Sequence, residues 1–284
     1  MPGPLFRPRP RPQATRTLFC LSFCGGGTAP FRAWADALPE DTELVLYCYP
    51  GREGRYDVPF ARSWEELLGG ALPALAGVAA RPYVLLGHSM GAWVAFDLAR
   101  RAERAGVALP QTLVVSAAHA PDRPRAEPAA PPHPGNTDEE LLDWMFTIGQ
   151  IAEVVRDEPE LLRMAVEVLR VDLEVLDTYQ FRPGDQVGPP IQLLRGEDDD
   201  IDAEDLDRWR RLTAGSFEST RLPGGHFYTP EVWSRLPERI TALRPLQPSA
   251  TPDRSARPSS AAVVPADLVD QAGAQGGAGH DGVQ

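Results

Sequence analysis

The chain has 284 residues, of which 43% are hydrophobic, and a formal net charge of −12. This length suits one large domain or two small ones with a substantial core. The acidic balance argues against nucleic acid as a partner, because phosphate binding needs concentrated positive charge, and no apolar run is long enough to span a membrane. Cys20, Cys24 and Cys48 lack metal-binding spacing, so we expect free thiols and no metal site. The N-terminus lacks the apolar core of a signal peptide, which predicts a cytoplasmic protein.

Residues 1–16 are rich in proline, which restricts the backbone and removes hydrogen-bond donors, so they are predicted to form a flexible N-terminal arm. From residue 17 onward, short apolar runs alternate with amphipathic helical patterns. Strands are predicted at 17–23, 43–49, 83–86, 111–117, 190–195 and 216–222. Buried strands that alternate with helices indicate an α/β fold, in which a mostly parallel sheet is covered on both faces.

The sequence Gly87-His88-Ser89-Met90-Gly91 joins a predicted buried strand to a predicted apolar helix. A Gly-x-Ser-x-Gly turn in this context holds a serine on a sharp bend, where the backbones approach too closely for larger neighbours. The bend also places the hydroxyl at a helix N-terminus, which favours developing negative charge. Ser89 is therefore predicted to be a catalytic nucleophile. The alternative is a glycine-rich turn with an incidental serine.

The strand and helix alternation stops at about residue 120 and resumes at about residue 185. A proline-rich stretch leads to a capping box at residues 137–140, and residues 141–177 then read as consecutive helices. We interpret this segment as a helical lid over the active face, with an inert surface insertion as the alternative. Residues 17–244 then form one domain. Residues 245–284 are predicted to be a disordered C-terminal tail, because they contain too few apolar residues to offset their ordering entropy.

A serine nucleophile needs a base to take its proton. His226 follows two glycines in a tight loop after the last predicted strand, which projects an imidazole over the strand ends. The third member should be a carboxylate that follows an intervening strand. Residues 197–200, with the sequence Glu-Asp-Asp-Asp, supply four candidates after the strand at 190–195. This chain order predicts a Ser-acid-His triad without choosing among the four acids.

The developing oxyanion in such a reaction needs two backbone N–H donors. Met90 directly follows the nucleophile and supplies one. The second is expected from the loop after the first predicted strand, around residues 23–26, where two glycines allow close approach.

These motifs together resemble the type II thioesterases that accompany polyketide and nonribosomal peptide synthases, over about residues 18–243. The resemblance rests on five segments: Leu21-Ser22-Phe23-Cys24-Gly25-Gly26, Tyr49-Pro50-Gly51-Arg52, the Ser89 turn, Arg170-Val171-Asp172 and Gly224-Gly225-His226-Phe227. It implies the α/β-hydrolase fold, Asp199 as the acid, with Asp198 and Asp200 behind it, and the Cys24 N–H as the second oxyanion donor.

The resemblance further implies a stand-alone thioesterase that clears acyl groups from the phosphopantetheine arm of acyl or peptidyl carrier proteins. We expect a monomer without a cofactor. The alternatives are a carboxylesterase of the same fold and an inactive hydrolase-like binding module. Carrier proteins are commonly acidic, so a basic patch is expected near the mouth of the site, with Arg52, Arg55, Arg123 and Arg125 as candidates.

Overall fold

A computed structural model describes residues 3–124 and 132–244. The strands of this part form a single sheet in the order β1-β3-β2-β4-β5-β6-β7. Their bounds are β1 (Leu5–Phe6), β2 (Arg16–Leu21), β3 (Thr42–Tyr47), β4 (Tyr83–His88), β5 (Thr112–Ser116), β6 (Ile191–Gly196) and β7 (Phe217–Leu222). Strands β2 to β7 pair in parallel, and only β1 is antiparallel. The prediction of a mostly parallel sheet is confirmed.

The helices cover both faces of the sheet, and each face has its own apolar core. Their bounds are α1 (Trp34–Ala37), α2 (Trp64–Val78), α3 (Met90–Arg104), α4 (Asp138–Thr147), α5 (Pro159–Asp177), α6 (Ala203–Arg211) and α7 (Pro230–Ser234). The central strand β4 is buried along its whole length, as the apolar run at residues 83–86 predicts. Because β4, β5, β6 and β7 are parallel, their carboxyl ends lie at one edge of the sheet.

The N-terminal residues differ from the sequence-based expectation. Leu5 and Phe6 pair with Tyr47 and Leu46 of β3, at the sheet edge. The Arg11 guanidinium donates to the carbonyls of several residues of the α1–β3 segment: Ala35, Leu38, Pro39 and Thr42. The predicted flexible arm is thus wrong for residues 3–16. Proline is tolerated at a sheet edge, where its missing N–H leaves no ladder bond broken.

Two helices, α4 and α5, lie between β5 and β6 in the chain, where the helical insertion was predicted. The side chain of Thr137 accepts a hydrogen bond from the Glu140 amide, and the Glu140 carboxylate accepts one from the Thr137 amide, which confirms the capping box. A lid function for this insertion stays a prediction, and the predicted tail lies outside the described residues. Among residues 3–124 and 132–244, no helix combines the length and apolar character needed to cross a bilayer.

Candidate active site

The predicted nucleophile lies on a strained turn between β4 and α3. Ser89 has φ 55° and ψ −123°, a backbone conformation that non-glycine residues seldom adopt. Its N–H donates to the Ser116 carbonyl of β5 at 2.8 Å, which ties the turn to the neighbouring strand. A Cβ on Gly87 would lie 1.9 Å from the Gly91 carbonyl oxygen, and one on Gly91 would lie 2.4 Å from the Leu21 carbonyl oxygen. Both glycines are therefore required by close backbone approach.

The loops that carry the predicted acid and base are joined through their backbones. The Asp198 N–H donates to the Gly224 carbonyl at 3.0 Å. A Cβ on Gly196, at the end of β6, would lie 2.3 Å from the Gly225 carbonyl oxygen, so a larger residue would push the two loops apart. These contacts hold the 197–200 loop against the loop that contains His226.

Among the three candidate aspartates, Asp199 is the one beside the histidine. Its Oδ2 lies 3.6 Å from His226 Nδ1, and its side chain is only 7% exposed. This separation exceeds a hydrogen bond, as is common for catalytic groups before substrate binds. Within the described part of the chain this oxygen has no hydrogen-bond partner. With Nδ1 directed at the acid, Nε2 of the imidazole is left for the nucleophile.

Asp200, the next residue, has a different partner. Its Oδ1 lies 3.2 Å from His119 Nε2, and His119 Nδ1 lies 2.8 Å from the buried carboxylate of Asp205. Hydrogen bonds that the His119 ring donates to these two carboxylates raise its pKa to about 9, although partial burial opposes the shift. The same contact with His119 lowers the pKa of Asp200 to about 2. A charged His119 thus anchors the 197–200 loop to the end of β5 and to α6.

A second buried network lies beneath the turn, and its hydrogen bonds have a fixed direction. The Tyr228 hydroxyl donates to the Leu194 carbonyl at 3.0 Å, so Ser116 must donate to Tyr228 at 2.7 Å. The Ser116 proton is then committed, and His88 Nδ1 must donate to Ser116 Oγ at 2.9 Å. His88 is therefore the Nδ1–H tautomer. Burial and the nearby His226 lower its pKa well below the usual range, which keeps it neutral.

The tautomer assignment agrees with the surroundings of the other ring nitrogen of His88. Nε2 is buried without a hydrogen-bond partner among the described residues. A bare acceptor there is less costly than an unpaired N–H donor. The His226 ring centroid lies 5.2 Å from that of His88, and Tyr228 is two residues beyond His226. The network thus links the Ser89 turn to the histidine loop. Sequence reasoning missed Ser116, Tyr228 and the anchoring role of His119. For Ser116 and His119, the only signal in the sequence is that a polar residue lies at or just beyond a strand end.

The side chains of the two residues predicted to supply the oxyanion donors contact each other. Met90 opens α3, so its N–H is among the first four of the helix, which lack an intrahelical acceptor. The Sγ atom of Cys24 lies 3.5 Å from the Sδ atom of Met90. The loop after β2 thus packs directly on the first turn of α3, as an oxyanion hole built from both segments requires.

A cavity of about 700 Å³ lies beside the acid and the base. Its walls come from the acid loop, the histidine loop and the end of α4, and they include His119, Trp144, Phe146, Ile148, Asp199 and His226. An aromatic cavity of about 420 Å³ shares Ile148 and Phe227 with it and is lined further by Phe23 and Trp233. The helical insertion therefore contributes apolar walls to the site. No group of side chains arranged to hold a metal ion occurs in residues 3–124 and 132–244.

The three described arginines among those expected near the mouth all have partners within the fold. Arg52 is buried in an ion pair with Asp172 of α5, so the prediction that it meets a carrier is wrong. Arg55 donates to the Cys48 carbonyl at 2.7 Å, and Arg123 pairs with Asp202 and Asp205. Arg125 lies outside the described residues.

The model of the thioesterase domain family matches residues 16–244. The chain belongs to the thioesterase family. The gramicidin S biosynthesis protein GrsT of Aneurinibacillus migulanus is 30% identical over 215 residues, which cover 74% of this chain and 82% of GrsT. Thioesterase PikA5 of Streptomyces venezuelae is 30% identical over 234 residues, or 80% of each chain.

Solved structures of thioesterases match in fold as well. The type II thioesterase BorB from the borrelidin biosynthetic cluster is 34% identical, with a TM-score of 0.71, covering 82% of this chain and 96% of BorB. YbtT, a type II thioesterase from the yersiniabactin NRPS/PKS pathway, is 27% identical, with a TM-score of 0.73, covering 85% and 98%. These matches confirm the predicted α/β-hydrolase fold, the family, and an enzyme that hydrolyses thioesters.

Proposed function

We propose that this thioesterase is of type II and hydrolyses acyl groups from the phosphopantetheine arm of carrier proteins of a polyketide or nonribosomal peptide synthase. The observation that carries the site assignment is the juxtaposition of Asp199 and His226, 3.6 Å apart, at the sheet edge where Ser89 directly follows β4. The relatives support the substrate class, since YbtT is named as a type II thioesterase of an NRPS/PKS pathway and GrsT as a gramicidin S biosynthesis protein. A cytoplasmic, monomeric enzyme belongs to the same proposal.

The reaction divides into two acyl transfers. Ser89 Oγ attacks the thioester carbonyl carbon as His226 Nε2 takes its proton, and the N–H groups of Met90 and Cys24 bind the oxyanion. The tetrahedral intermediate collapses, the C–S bond breaks, and His226 returns the proton to the departing thiol. A water molecule then loses a proton to His226 and attacks the acyl-serine, which releases the acid and restores Ser89. Asp199 stabilises the imidazolium in both halves.

The rival activities are separated by one comparison of substrates. A short acyl group is presented on a carrier protein, on coenzyme A and as an aryl ester, and kcat/KM is measured for each. We expect the highest value on the carrier, because contacts remote from the thioester position its carbonyl against Ser89. A preference for the aryl ester would favour a carboxylesterase. Absence of turnover on all three would favour an inactive binding module.

A further inference from the structure

One buried ion pair joins the helical insertion to the sheet. The Arg52 guanidinium, in the loop after β3, donates to Asp172 of α5 through both terminal nitrogens, at 2.5 and 2.7 Å. The two side chains are only 5% and 4% exposed. Burial alone would lower the pKa of Arg52, but the Asp172 carboxylate reverses this, and the net shift is upward. Arg52 and Asp172 thus form an ion pair that is largely shielded from solvent.

The remaining hydrogen bonds of this pair go to the loop that carries the proposed second oxyanion donor. Asp172 Oδ2 accepts from the Gly25 N–H at 2.7 Å. Arg52 Nη1 donates to the Gly26 carbonyl at 2.8 Å. Both side chains thus bind the backbone directly after Cys24. The Asp172 carboxylate accepts from an N–H group, and the Arg52 guanidinium donates to a carbonyl.

Two further side chains hold the same loop, here called the 22–26 loop. Tyr49, three residues before Arg52, donates to the Ser22 carbonyl at 3.0 Å. Gln150, which follows α4, donates to the Cys24 carbonyl at 3.0 Å. The two ends of the loop are therefore held by Tyr49 and Arg52, which follow β3. Its centre is held by Gln150 and Asp172 of the helical insertion.

We propose that Arg52 and Asp172 are positioning residues that set the backbone of the 22–26 loop, so that the Cys24 N–H faces the oxyanion only while α5 is docked. The helical insertion would then build part of the catalytic machinery as well as cover the site. This inference rests on the proposed function, because it assumes that the 22–26 loop contributes to the oxyanion hole.

The energetics of buried charge indicate that the ion pair positions the 22–26 loop and does more than attach α5 to the sheet. Moving two charges out of water is costly, and well-packed apolar residues often hold elements together as well or better. What apolar residues cannot do is bind the Gly25 N–H and the Gly26 carbonyl. A Cβ on Gly25, which has φ +75°, would lie 2.7 Å from Gln150 Nε2, so the loop is closely enclosed at this point.

Removal of a single oxyanion donor typically lowers kcat about 100-fold to 1000-fold. In Asp172→Asn, the amide group would face the Arg52 donors and the loop would shift. We expect kcat on an acyl carrier substrate to fall about 100-fold while KM changes less than about 3-fold. The matched control is Asp97→Asn, since Asp97 forms a buried pair with Arg100 in α3 at 2.5 Å. It should lose stability but keep kcat within about 3-fold.

The double variant Arg52→Met with Asp172→Leu distinguishes positioning of the 22–26 loop from attachment of α5 to the sheet. It leaves no unpaired buried charge, so its melting temperature should return close to that of the wild type. We expect kcat to stay low and the Gly25 amide to exchange its hydrogen faster than in the wild type. Recovery of both kcat and Gly25 protection, or equal kcat losses in Asp172→Asn and Asp97→Asn, would overturn the inference.

The Gly25 exchange rate does not depend on turnover. If the wild type fails to hydrolyse acyl carriers, the proposed function is wrong. The positioning role is then judged by hydrogen exchange alone, and an unchanged Gly25 rate in the double variant would refute it.

Discussion

Replacing Asp199 by asparagine tests how much of the reaction depends on the charge beside His226. The Asp199 carboxylate lies 3.6 Å from Nδ1 of the imidazole and is 7% exposed. At this separation, an effective dielectric constant of about 20 gives an attraction of about 5 kcal/mol between the carboxylate and an imidazolium. That charge exists only once His226 has taken the proton of Ser89, so the attraction acts on the transition state. It corresponds to a loss of about 3 to 4 orders of magnitude in kcat for Asp199→Asn.

The neighbouring aspartates provide the controls. Asp200 is 81% exposed and faces His119, so Asp200→Asn should change kcat less than about 10-fold. Asp198→Asn should behave similarly, because the contact of Asp198 with the histidine loop is made by its backbone. Steady-state hydrolysis of an acyl carrier, followed by release of the free thiol, gives kcat for each variant. Equal small effects in all three would show that the acid lies elsewhere.

Three further substitutions test the networks around the site. Tyr228→Phe should release the Ser116 proton, convert His88 to the Nε2–H tautomer and lower kcat about 10-fold. The control is Tyr83→Phe, which also loses a hydrogen bond to a backbone carbonyl, at 2.7 Å, and should change neither the tautomer nor kcat. Histidine ¹⁵N NMR identifies the tautomer. A Tyr228→Phe spectrum with His88 unchanged would contradict the hydrogen-bond direction. His119→Asn should lower the free energy of unfolding at about pH 7 and much less at about pH 10. The pKa of His119 is raised to about 9 in the folded protein, so its ion pairs stabilise the fold fully below the ordinary histidine pKa of the unfolded chain, and this stabilisation is lost as the pH rises through 9. Denaturant melts at both pH values measure this, and equal losses would show that His119 acts without its charge.

The parts of the site that could be predicted from sequence are those fixed by local sterics and chain order. Gly87 and Gly91 flank Ser89 because the strand and helix backbones approach within van der Waals distance there. That requirement leaves a local signature in five residues. The placement of Asp199 and His226 follows from topology, because loops after parallel strands meet at one edge of the sheet. Asp199 and His226 therefore lie beside each other, while the catalytic roles of these two residues and of Ser89 remain predictions.

The parts that could not be predicted depend on contacts between distant segments. Nothing near Leu5 indicates that it pairs with Tyr47 at the sheet edge, so the proline-rich sequence alone predicts a flexible arm. Arg52 and Asp172 are 120 residues apart, and each alone resembles a surface charge. Their burial follows only from the docking of α5 on the sheet, which sequence periodicity does not specify.

The central claim is that Ser89 carries the acyl group between carrier and water. Mixing the enzyme with an acyl carrier for less than one turnover, then digesting it and measuring peptide masses, tests this most directly. The account predicts a peptide containing Ser89 that is heavier by the acyl group, together with one equivalent of free carrier thiol, and neither product with Ser89→Ala. Thiol release by Ser89→Ala at more than a tenth of the wild-type rate, or an acyl group found on another residue, would contradict it.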